Sequence, residues 1–189
     1  MIVILGESGA GKSTLQKEIC RQNPVIKPIV SYTTRSQRPE EKNGIDYNFI
    51  TNEEFAELVR QNKFLDTATY NGWSYGAAYE DFTDASIAVL TPSGLRTVLR
   101  AGIKKVYSIY IDVPRKDRLK KLLDRGDNIE EAYRRSVSDI GMYDGIGSEV
   151  TATIKNPNYA FSAEDLASTI LKDYAQFIRF DYCFKRGSK

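Results

Sequence analysis

The nine residues GESGAGKST, Gly6 to Thr14, restrict this 189-residue chain more than any other stretch. They follow a short apolar run, Ile2 to Leu5, and precede STLQKEICRQ, which reads as a helix. A continuous apolar run of this length suits a strand buried on both faces of a parallel sheet. Strand, glycine turn and helix, in that order, are the context the phosphate-binding P-loop pattern requires. Glycines let successive backbone N–H groups turn inward around phosphates without Cβ clashes. On this reading Gly6, Ser8, Gly9, Ala10 and Gly11 shape a backbone cradle, and the helix adds its positive end. Lys12 then reaches the β- and γ-phosphates, the Ser13 hydroxyl ligates Mg²⁺, and Thr14 packs or caps beside them. The expected ligand is a nucleoside triphosphate, with ATP the first candidate. A glycine-rich turn with a chance lysine is the alternative, but strand, spacing and position all agree with the cradle.

The rest of the chain extends this start into an α/β domain. PIVSYTT reads as a second strand, and ASIAVLT and KVYSIYIDV as further apolar strands, each followed by a helical pattern. RKDRLKKLLDRGD and IEEAYRRSVSD are highly charged helical segments, and VTATI is a late strand. SAEDLASTILKDYAQFI closes the chain as an amphipathic helix capped by Ser162, with Leu166, Ile170, Tyr174 and Phe177 on its core side. Alternating strands and helices imply a three-layer domain, a parallel sheet covered on both faces. YNFI, the helical NEEFAELVRQN and FLDTATYNGWSYG break that alternation. Asn71-Gly72, between two β-rich runs, signals a hairpin. The expected organisation is one domain over 1–189, with a core at 1–30 and 81–189 and an α+β insertion at 31–80.

Composition closes off several function classes. With 27 Lys and Arg against 25 Asp and Glu, the formal charge is +2, short of the basic excess a sequence-independent nucleic-acid binder carries. No apolar segment is long enough to span a membrane, and no signal peptide precedes the first strand, so a cytoplasmic protein is expected. Its partners would be small-molecule nucleotides rather than nucleic acid or membrane, and it would act as a monomer or homodimer. Cys20 and Cys183 lack metal-ligand spacing and read as reduced, partly buried thiols. Histidine is absent altogether, which removes Ser-His, Cys-His and His-metal mechanisms.

The stretch SYTTRSQRP adds a second anion site. Tyr32, Thr33 and Thr34 are β-formers, and Pro39 disfavours helix at Arg38, so Arg35 and Arg38 sit on a strand end and loop. Two guanidinium groups there can grip a phosphate, with Ser31, Thr33, Thr34 or Tyr47 supplying hydroxyls. A phosphate acceptor fits the missing histidine. Its attacking oxygen is already ionised near neutral pH, so alignment and charge neutralisation suffice without a general base.

SYTTRSQRPEEKNGIDYNFIT, behind GESGAGKST and ahead of FLDTATYNGWSYG, resembles the guanylate kinase family, from residue 2 to about residue 126. The resemblance implies a P-loop NTPase core, a nucleoside-monophosphate-binding insertion at 31–80, and a helical lid at about 114–140. It assigns Ser31, Arg35, Arg38, Tyr47 and Tyr75 to the acceptor nucleotide, with Arg35 and Arg38 on its phosphate. It places Asp66 where the family usually reads guanine with glutamate, a reach shorter by roughly 1.5 Å. Ala77 stands where a hydroxyl is expected, and Thr91 where an aspartate is expected. Asp112, ending the next strand, is a candidate for a magnesium-bound water or a plain loop aspartate. Arg125, with Arg135 or its neighbour Arg134, falls where lid arginines neutralise the transferring phosphoryl group, so Lys12, Arg38, Arg125 and Arg135 form the catalytic set. Arg115, Arg118, Lys120 and Lys121 read as solvated helix charges. The following GMYDGIG carries more glycine than a helix favours. The implied activity is transfer from Mg·ATP to GMP or dGMP. A kinase of the same fold with another phosphorylated acceptor, or a noncatalytic binding module, are the alternatives, and the intact Lys12 and Ser13 speak against the module.

Overall fold

Strand β1 (Ile2–Leu5) has no polar side chain, and all four of its residues are buried. The computed structural model describes residues 1–70 and 72–186. In chain order these form β1, α1 (Lys12–Gln22), β2 (Lys27–Pro28), β3 (Tyr32–Thr33), β4 (Asn48–Phe49), α2 (Asn52–Arg60), β5 (Phe64–Tyr70) and β6 (Trp73–Ala78). There follow β7 (Ser86–Val89), α3 (Pro92–Arg100), β8 (Tyr107–Asp112), α4 (Arg115–Asp124), α5 (Ile129–Ser138), β9 (Ala152–Lys155) and α6 (Ala163–Arg186).

β1 lies at the centre of a sheet ordered β2-β7-β1-β8-β9, in which every pairing is parallel. Because side chains alternate along a strand, its two faces feed two cores. Ile2 and Ile4 pack with Leu15 and Ile19 of α1 and with Leu166, Ile170 and Tyr174 of α6. Val3 and Leu5 pack on the other face with Leu95 and Val98 of α3. Each such buried aliphatic side chain contributes roughly 1.5–3 kcal/mol. The end of β1, where the glycine turn begins, is thereby fixed from both sides.

A second sheet, ordered β4-β3-β6-β5, stands apart from the first and mixes parallel and antiparallel pairs. It has a small core of its own. Phe64 stacks on Phe55 of α2 at 4.8 Å between centroids and meets the Tyr32 ring edge-on at 5.4 Å. Gly76 lets that ring lie flat on β6, since a Cβ there would come within 2.9 Å of it. α2 is held at its start by a reciprocal cap between Thr51 and Glu54.

The closing helix follows its pattern. The Ser162 hydroxyl accepts the Asp165 N–H at 3.1 Å, and Leu166, Ile170 and Tyr174 are buried with Phe177 packed beside them. PIVSYTT differs from expectation. It is two short strands in two sheets, because β2 pairs with β7 while β3 pairs with β4 and β6. The break falls at residues 29–31, where the chain leaves the main sheet for the second. Cys20 is a partly buried free thiol. Asn71 and the Cys183 side chain lie outside the described residues.

Candidate active site

The turn after β1 is shaped by close approaches. A Cβ at Gly6 would lie 2.9 Å from the Ile111 carbonyl oxygen, and one at Gly9, where φ is +85°, would lie 2.8 Å from that of Arg118. α1 then starts at Lys12 with Gly11 as its N-cap, no capping side chain and no acidic residue in its first turn. Its first N–H groups are therefore left for an external anion. Lys12 Nζ folds back to the carbonyls of Gly6 and Glu7, at 2.6 and 2.9 Å. Burial pushes its ammonium down to about 8, against the pull of Asp139 and Glu7. Ser13 and Thr14 are exposed beside it.

Beneath this turn lies a buried charged cluster that corrects the reading of Arg118 as a solvated charge. Arg118 is 7% exposed. Its Nε donates to the Val113 carbonyl at 2.9 Å, and its other nitrogens reach the Ser8 carbonyl at 3.4 Å, Glu7 at 3.3 Å and Asp139 at 3.6 Å. Charge pattern alone cannot tell which face of α4 meets the turn, and this face does. Arg115 donates to the Ser136 hydroxyl at 2.7 Å and so ties α4 to α5. Lys120 and Lys121 are exposed, the latter over the Tyr159 ring.

A cleft of about 570 Å³ runs from the glycine turn to the second sheet. Ser8 and Lys12 line one end, and Ser31, Tyr47, Asp66 and Tyr75 line the other, with Thr91 between core and second sheet. Burial pushes the Asp66 carboxyl up, with the Thr67 backbone N–H opposing. The carboxylate lies against the first turn of α3, and a Cβ at Gly94 would come within 2.7 Å of its Oδ2. Ala77 is buried and offers only a methyl group. The Thr91 hydroxyl is already engaged as the N-cap of α3, accepting from the Gly94 N–H at 3.2 Å and meeting Ser93 Oγ at 2.9 Å.

Arg35 and Arg38 lie on the loop after β3, outside the lining of this cleft. Arg35 is 8% exposed and pairs with both oxygens of Glu41 at 2.7 and 2.9 Å. Its guanidinium stands 5.5 Å over the Tyr47 ring, which in turn meets Tyr75 at 6.0 Å. Glu41 also accepts the Arg38 backbone N–H at 2.9 Å. Burial works against the Glu41 carboxylate, yet these donors hold its pKa below the ordinary value. Glu41 is a functional residue that motif reasoning alone misses; its place three residues after Arg38 and six after Arg35 is the signal in the sequence that marks it.

Arg135 lines the cleft and shares Glu131 with Arg134, its Nε donating to Oε1 at 2.7 Å, while Arg125 at the end of α4 is a half-exposed partner of Asp127. Arg135 also lies 3.7 Å from Asp127. The glycine-rich stretch after α5 has turns at Gly141 and Gly145, both with positive φ, and brings Met142 and Tyr143 to the cleft wall. Asp112 ends β8 beside Lys155, away from the cleft lining.

One cleft thus joins a phosphate cradle to a polar pocket, with Arg96 and Arg135 in its lining. The guanylate kinase family model matches residues 1–171. A guanylate kinase of Desulfitobacterium hafniense is 30% identical over 191 residues, covering 98% of this chain and 96% of the relative. One of Trichormus variabilis is 37% identical over 142 residues, 71% of each chain. The crystal structure of guanylate kinase from Anaplasma phagocytophilum superposes with a TM-score of 0.65 at 22% identity, covering 93% of this chain and 84% of that one. Family match, superposed fold and matched length agree, and the chain belongs to the guanylate kinase family of ATP:GMP phosphotransferases.

Proposed function

We propose that the protein moves the γ-phosphate of Mg·ATP to GMP or dGMP within this single cleft, giving ADP and GDP or dGDP. The observation that carries the site assignment is that Lys12 and Ser8 line one end while Ser31, Tyr47, Asp66 and Tyr75 line the other. ATP phosphates would rest on the turn from Gly6 to Ser13, with Thr14 behind. The acceptor phosphate would be gripped by Arg35 and Arg38, with the Tyr47 and Tyr75 hydroxyls donating to it. Its attacking oxygen is ionised, so the chain aligns and neutralises rather than removing a proton.

The residues present suit Mg²⁺, a hard cation that takes oxygen ligands. The exposed Ser13 hydroxyl at the start of α1 would hold it. When bound, the ion neutralises charge on the β- and γ-phosphates. Lys12 and the lid arginines, Arg135 with Arg125, would stabilise the charge on the transferring group. The insertion at 31–80 and the lid at about 114–140 would close over both nucleotides to exclude water. With nucleotides as its substrates, it would act in the cytoplasm.

Asp66 would accept from guanine's ring N–H and exocyclic amine, and Ser31 would serve O6. A second reading, the same fold with another phosphorylated acceptor, is favoured by the Ala77 methyl and the engaged Thr91 hydroxyl, which leave few groups to read the base. A bisubstrate analogue, adenosine and guanosine joined by five phosphates, tests the single-cleft assignment. It should bind far more tightly than ATP or GMP alone and lose that advantage in both Lys12→Ala and Arg38→Ala. Affinity no better than that of ATP would show that the two ends do not form one site.

A further inference from the structure

Helix α5 ends on the P-loop. Its C-cap residue, Asp139, accepts the Ser8 backbone N–H at 2.7 Å, and the Asp139 side chain is only 9% exposed. The same carboxylate is the strongest attraction on the Lys12 ammonium. Lys12 Nζ is meanwhile turned to the carbonyls of Gly6 and Glu7. An anion-binding backbone therefore already carries an anion, and the chain itself supplies it. Arg135 stands four residues before Asp139 on the same face of α5, and both line the cleft. Arg135, whose Nε donates to Glu131 at 2.7 Å, would follow a shift of that last turn.

We propose that Asp139 is a positioning residue for phosphoryl transfer, holding the Ser8 N–H while the P-loop is empty and yielding it to the triphosphate. Two anions cannot share one N–H. The incoming γ-phosphate therefore releases the carboxylate and shifts the end of α5, which brings Arg135 to bear on the transferring group. Arg118, 3.6 Å away between Glu7 and Asp139, remains a partner for the released carboxylate. The inference rests on the reading that ATP binds in this cradle.

Calorimetric titration of the full chain with the Mg²⁺ complex of the β,γ-imido analogue of ATP tests it, using Asp139→Asn and Asp139→Glu. The neutral Asn no longer competes with the phosphate, so binding should tighten, on the order of tenfold. Both KM for ATP and kcat should fall, because Arg135 is no longer placed by the exchange, and the Glu variant should stay close to the parent. Unchanged or weaker binding in Asp139→Asn would overturn the proposal, as expected of a residue that only stabilises the fold. If the variants do not fold, the unsubstituted protein still decides the matter through its amide resonances. The Ser8 amide should move in step with those of Gly11 and Lys12 as the analogue saturates. A Ser8 amide that stays put while the other two saturate would sink the displacement but leave the kinase reading standing. If none of the three moves, both fall.

Discussion

Glu41 holds Arg35 through two oxygens, at 2.7 and 2.9 Å, and the pair is nearly buried, with side chains 14% and 8% exposed. A carboxylate here occupies the guanidinium proposed to grip the acceptor phosphate. Removing one partner of such a pair strands the other charge away from water. Glu41→Ala should therefore cost about 3 kcal/mol of stability. Chemical denaturation measures this, and a change below about 0.5 kcal/mol, the scale of a surface substitution, would show the pair to be incidental.

Arg38 is only half-buried, and its backbone rather than its side chain is held by Glu41. Arg38→Ala should leave the melting temperature within a degree or two while lowering kcat/KM for the acceptor by on the order of 10²-fold. Steady-state kinetics with GMP varied at saturating ATP will show it. Equal activity with the parent enzyme would remove Arg38 from the site.

Gly94 sets the position of Asp66. An added Cβ would lie 2.7 Å from Asp66 Oδ2, the movable end of a side chain rather than backbone. Gly94→Ala should thus be tolerated by the fold, with helix propensity favouring alanine by up to about 1 kcal/mol. It should nevertheless displace the carboxylate and raise KM for GMP several-fold, while KM for ATP stays the same. A variant with normal GMP kinetics would mean that Asp66 does not read the base. Asp66→Asn should act in the same direction, since an amide has only one accepting oxygen where the carboxylate has two.

Lys12 gives the alkaline limit. Its ammonium is pushed by burial to about 8, below the ordinary 10.5. Between these values the unfolded chain binds the proton that the folded, nucleotide-free protein releases. This group's contribution to stability therefore rises with pH across that window. Activity runs the other way, since the triphosphate needs the charged form. The value of kcat/KM for ATP should fall as pH passes about 8, and ATP binding above that pH should take up a proton. Calorimetry in buffers of different ionisation heat reads the uptake directly; zero uptake at pH 9 would contradict the assignment.

Much of this arrangement could be read along the chain, for physical reasons that differ by segment. The P-loop is local: nine contiguous residues fix both backbone path and charge, so Lys12 starts α1 directly after the glycine turn. The closing helix was legible because Leu166, Ile170 and Tyr174 repeat at its period and Ser162 caps it. Arg118 was not legible, because the five basic residues of α4 look alike until Glu7 and Asp139 are placed beside one of them. PIVSYTT shows the same limit. Its β-forming residues are continuous in sequence, but the hydrogen-bonding partners of Lys27–Pro28 and Tyr32–Thr33 belong to different sheets. The glycines at 141 and 145 signalled a break, yet only tertiary packing reveals that the break delivers Met142 and Tyr143 to the cleft.

The most direct measurement is ADP release from Mg·ATP with GMP, dGMP, AMP, UMP and ribose 1-phosphate offered separately, beside Arg38→Ala as control. Turnover confined to GMP and dGMP, and lost in the variant, is the predicted result, and it would mean that Asp66 reads guanine despite its shorter reach. Preference for another acceptor, or ATP binding without transfer to any of them, would contradict the assignment of this cleft to guanine nucleotides.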